Sequence, residues 1–74
     1  MLYKTMHEMK EWYIAAVRGN LVLHYGLQEQ EANKAIEAYR LKERLDKYPE
    51  VQLHYDIEDT TEEMKQRGLV QTLK

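Results

Sequence analysis

Tyr48-Pro49-Glu50-Val51-Gln52-Leu53-His54-Tyr55-Asp56-Ile57-Glu58 is the stretch that decides between two folds. Val51, Leu53, Tyr55 and Ile57 alternate with Gln52, His54, Asp56 and Glu58. A period of two marks a half-buried strand or extended segment. Pro49 supports the same reading, because the residue before a proline is pushed to extended conformations. A strand needs a partner, and the candidate is 20–25, which follows the turn signal Gly19-Asn20. Pairing 20–25 with 51–57 in parallel would need a right-handed crossover. That gives an α+β fold with a small two-stranded sheet. If 20–25 is helical instead, the segment at 50–58 has no partner and the fold is all-α.

The caps favour the second outcome. Residues 2–18 read as an amphipathic helix, with Leu2, Met6, Met9, Tyr13 and Ala16 on one stripe and Lys4, Glu8, Glu11 and Arg18 opposite. This helix stops at Gly19 or runs on to Gly26. After Gly26 comes Leu27, which is apolar and able to pack back onto the last turn near Val22; after Gly19 comes Asn20, which is not. The longer helix is therefore expected, with a kink near Gly19, since an internal glycine costs about 1 kcal/mol.

A second helical region spans about 28–47, its acidic start suited to the helix dipole. Ala32, Ala35, Ile36 and Tyr39 form one apolar stripe; Ala38, Leu41, Leu45 and Tyr48 form another, rotated by one residue. Either the buried face is wide or the helix breaks near residue 40. Glu43 and Lys47 stand at a favourable i, i+4 spacing. Further on, Thr60-Thr61-Glu62-Glu63 has the form of a capping box with Thr60 as N-cap, predicting a short helix over 61–67. Gly68 would end it, with Leu69 touching Met64, and 69–74 would fray. The expected architecture is three or four short helices in an all-α domain covering 1–74, with an extended segment at 50–58.

Composition narrows the function classes. The chain has 74 residues, 43% hydrophobic and 32% charged, which suits one small globular domain. A core this small often leans on a second copy of the chain, so a homodimer is one expectation. The net charge of -2 argues against general nucleic-acid binding, which usually shows a basic domain. Cys and Ser are both absent, so the commonest covalent nucleophiles are missing and no enzyme activity is expected. Without disulfides, and with neither a signal peptide nor a membrane span legible, a cytoplasmic location is expected.

His7, His24 and His54 show no mutual i, i+3 or i+4 spacing, so neither a metal site nor any cofactor is expected. His7 and Glu11 do stand four apart and suit a pair on one helix face. Asp56, Glu58, Asp59, Glu62 and Glu63 form an acidic run without the order or glycine of an EF-hand loop. Arg40, Lys42, Arg44 and Lys47 form a basic run interrupted by Glu43 and Asp46. Six Tyr and one Trp with no Phe is an interface-like aromatic choice.

Glu31-Ala32, Tyr39, Leu41, Leu45, Tyr48, Val51, Leu53-His54 and Ile57-Glu58-Asp59 together resemble a family of small uncharacterised bacterial helical proteins. Some of that family are encoded beside ADP-ribosyltransferase-like toxins. The resemblance covers about thirty residues. It departs at Gln28, at Arg40 (where the family tends to have Gly), and at Tyr55 and Asp56. It implies an accessory or neutralising partner protein, antitoxin-like or of phage type. The expected function is therefore to bind another protein through Trp12, Tyr13, Tyr55, Asp56, Glu58 and Asp59. The alternative is a dimeric helical nucleic-acid binder using Arg40, Lys42, Arg44 and Lys47.

Overall fold

A computed structural model describes residues 5–70. The fold is all-α, with five helices and no strand among the described residues. They are α1 (Met6–Tyr25), α2 (Glu29–Tyr39), α3 (Leu41–Lys47), α4 (Pro49–His54) and α5 (Ile57–Gln66). The other four helices all pack against α1.

Helix α1 is the long form of the first helix, continuous through Gly19. Thr5 caps it: its Oγ1 accepts from the Glu8 N–H (3.1 Å), and the Thr5 N–H donates to Glu8 Oε1 (3.0 Å). Gly26 ends it in the left-handed region (φ 73°), and the Gly26 and Leu27 N–H groups both converge on the Leu21 carbonyl. Leu2 and Lys4 lie outside the described residues.

The second region breaks where its stripe rotates. Arg40 adopts φ 61°, ψ 42°, closing α2 with its N–H on the Glu37 carbonyl (3.0 Å) while its own carbonyl accepts from Arg44 (3.0 Å). The break turns the Leu41/Leu45 stripe back onto the core, where both are fully buried. Glu43 turns toward Arg40 (3.7 Å), and the spacing with Lys47 forms no ion pair.

The segment expected to be extended is helical. Pro49 stands at the first position of α4, where its missing N–H costs nothing and its fixed φ suits the helix. Only Tyr55 and Asp56 are extended, and Ile57 begins α5. The alternation of apolar residues misleads because Gln52, a polar member, is the buried one at 2% exposure. Thr60 likewise is not a cap. Its N–H already bonds to the Asp56 carbonyl (3.1 Å), placing it inside α5. The C-terminal end is as expected: Gly68 is left-handed, and its N–H and that of Leu69 reach the Lys65 and Met64 carbonyls at 3.0 Å each. Leu69 packs against the core and Val70 is buried, so neither is frayed. Residues 71–74 lie outside the described residues.

The core gathers Tyr13, Val17 and Leu21 from α1, Ala32, Ala35, Ile36 and Tyr39 from α2, Leu41 and Leu45 from α3, and Met64 from α5. A twenty-residue helix is about 30 Å long, roughly twice the reach of its ten-residue partners. Part of α1 is therefore left uncovered, and Met6 and Met9 on its stripe are exposed.

Candidate functional site

Three features of the fold, two polar and one apolar, are candidates for function. The first is a sealed node between α1, α4 and α5. Tyr13 is 1% exposed and donates its hydroxyl hydrogen to the Tyr55 carbonyl (3.0 Å). A phenol has one hydrogen, so Thr60 must donate in the 2.5 Å bond that it shares with Tyr13. Gln52 Nε2 then donates to Thr60 Oγ1 (3.2 Å) and, more weakly, to Tyr13 Oη (3.4 Å). Every buried side-chain polar atom among the described residues has a partner. Tyr13, expected at a partner surface, is thus a core residue that fastens three helices.

The second feature surrounds Tyr39. Its hydroxyl donates to Glu63 Oε1 (2.6 Å), and Glu63 Oε2 accepts from Arg67 Nη2 (2.7 Å). The Arg44 guanidinium lies 4.2 Å from the Tyr39 ring centroid and donates from Nε to the Tyr39 carbonyl (3.3 Å); Arg67 lies 5.4 Å from the same centroid. Burial, then the bond to Glu63, pushes the Tyr39 phenol up to about 12. The same bond, followed by the Arg67 contact, holds the Glu63 carboxyl below its ordinary range. Beside this pair, Arg40, Arg44, Lys47, Arg67 and Tyr48 line a concavity of about 400 Å³. Lys42, expected with them, does not line this concavity; it lines grooves with Ile14 on the side toward α1, one of which Arg40 and Glu43 also edge. Arg67 was not legible as a member, being twenty residues beyond the basic run.

The third feature is apolar. Met6, Met9 and Trp12 follow one another at i, i+3 along the first half of α1, exposed by 45%, 37% and 54%. Val51 and Tyr55, at i, i+4 on and just after α4, are also exposed. The node joins these elements, since the Tyr13 hydroxyl of α1 rests on the Tyr55 carbonyl. Asp56, Glu58 and Asp59 are exposed next in the chain. Trp12, Tyr55 and the three carboxylates are therefore all presented to solvent, together with Met6, Met9 and Val51.

His7 pairs with Glu11 at 3.0 Å, as its spacing suggested. His24 lines a shallow site with Glu58, Glu62 and Lys65. Among the described residues no three His, Cys, Asp or Glu side chains converge to hold a metal, and no helix is long and apolar enough to cross a membrane. No family model, curated protein or solved structure matches the chain.

Proposed function

We propose that this protein acts by binding another protein in the cytoplasm, as a small regulator or neutralising partner and not as a catalyst. One observation carries the reading: among the described residues, five of the seven exposed large apolar side chains, Met6, Met9, Trp12, Val51 and Tyr55, lie on α1's first half and on or just after α4, which packs on α1. Singly scattered apolar residues need no explanation, whereas clustered ones mark interaction surfaces. Met, Trp and Tyr are the residue types enriched at interfaces, and Met adapts its shape to a partner's pocket. Asp56, Glu58 and Asp59 add an acidic rim, so the partner surface is an apolar recess bordered by basic residues. The resemblance to helical proteins encoded beside toxins supports the same reading.

The test compares wild-type bait with a Trp12→Gln/Val51→Gln double variant, both checked for equal helicity. The expected result is a protein captured by wild type and lost with the variant, alongside a monomeric solution mass for the free chain. Equal capture by both baits, or no capture, overturns the reading. A dimer that dissociates in the variant assigns the surface to a second copy of this chain.

A further inference from the structure

The geometry points to a second binding surface, made for single-stranded nucleic acid, in which Arg40, Arg44, Lys47 and Arg67 hold the phosphates and Tyr48 stacks on a base. Arg44 and Lys47 stand at i, i+3 on α3, and Arg40 precedes the helix as its left-handed cap, so the three span about 10 Å. Like charges at that spacing repel, although Arg44 and Lys47, in the last turn of α3, also favour the helix dipole. The fold then adds Arg67 from the end of α5 to the same concavity. Four cations face Glu43 on the lining and Glu63 behind it, which leaves two positive charges in excess on a chain of net charge -2. The chain average therefore hides a local basic site.

Two further facts set the ligand class. The Arg44 and Arg67 guanidiniums are both tethered to the Tyr39 ring, so they are pre-organised and not free to swing away. Lys47 makes no ion pair among the described residues, and Arg40 meets only Glu43 at 3.7 Å with its side chain 76% exposed. Tyr48 is 61% exposed at the rim of this concavity. A row of cations beside an open aromatic ring is the arrangement that binds single strands, whose phosphates and base faces are both accessible. A duplex buries its base faces, and an acidic peptide or heparin has none to offer Tyr48.

Fluorescence anisotropy with a labelled oligonucleotide of about ten nucleotides tests this at low ionic strength and along a salt series. Arg40→Gly and Lys47→Gln are each expected to weaken binding several-fold and to lower the salt slope by about 0.7. Tyr48→Ala should weaken it about five-fold or more and leave the salt slope unchanged. Lys42→Gln, on the other side of α3, should bind as wild type. Glycine suits the backbone at position 40 and Tyr48 is exposed, so these variants keep their fold, which circular dichroism checks. No binding at low salt overturns the proposal. So does wild-type affinity in Arg40→Gly and Lys47→Gln. Equal affinity for single strand, duplex and heparin also overturns it, since Tyr48 would then contribute nothing.

Discussion

Arg40 concentrates the cost of the fold in one backbone unit. A left-handed conformation costs an L-residue about 1–2 kcal/mol, and glycine avoids that penalty at the expense of some chain entropy. Arg40→Gly should therefore raise stability by about 0.5–1 kcal/mol, visible as a higher midpoint in urea with an unchanged slope. Glu63 and Tyr39 tie stability to pH at both extremes. The Glu63 carboxyl is held below its ordinary 4.5 in the fold, so its contribution is fully present above that value and is lost as pH falls through the lower folded value. The Tyr39 phenol is raised from 10.0 to about 12, so its contribution is present below 10.0 and is lost as pH rises toward 12. Glu63→Gln should flatten the acid limb of the stability curve. It should also lower the Tyr39 titration, followed by phenolate absorbance, because the Glu63 bond and charge both raise it.

At the scale of elements, two glycines give opposite signs. Gly19 lies inside α1 with nothing within 4 Å of an added Cβ, so Gly19→Ala should stabilise by about 1 kcal/mol. Gly68 has equal room but a φ of 78°, so Gly68→Ala should cost about 1 kcal/mol through the backbone alone. Thermal melts of the two variants should move in opposite directions from wild type. Cap chemistry shows how context overrides a motif. Thr5-Met6-His7-Glu8 and Thr60-Thr61-Glu62-Glu63 both have the capping-box form, yet only the first caps. The second Thr is drawn into α5 because Tyr13 and Gln52 offer its hydroxyl a buried network.

Across the whole molecule, Tyr13 links α1, the α4–α5 turn and α5 through one hydroxyl. A domain of this length is stable by about 4–11 kcal/mol. Tyr13→Phe leaves the Tyr55 carbonyl without its donor and Thr60 without its acceptor, which costs about 1–3 kcal/mol. Each kcal/mol shifts the melting midpoint of a small domain by about 4–8 °C, so a fall of at least about 4 °C is expected. A fall of less than a degree would show that the node is dispensable and that apolar packing alone seats α4. The two proposed surfaces lie on different helices, the apolar one on α1 and α4 and the basic one on α3 and α5. Trp12 and Arg40 variants should therefore act independently in protein and oligonucleotide binding.

Local signals were enough for the helical class, the end of α1 at Gly26 and the Schellman turn at Gly68, and they left the break at Arg40 as one of two readings. Each of these depends on glycine, proline or a shift in periodicity within a few residues, and backbone sterics act over that range. The helix at 49–54, the role of Thr60 and the burial of Gln52 and Tyr13 were settled by tertiary structure. Hydrogen bonds between residues 39 and 47 positions apart make a polar side chain cheaper to bury than an apolar one at those places, and no local period records that exchange. The convergence of Arg67 on Arg40, Arg44 and Lys47 arises in the same way, because Glu63 bonds both Tyr39 of α2 and Arg67, setting Arg67 beside the Tyr39 ring only once the chain has folded.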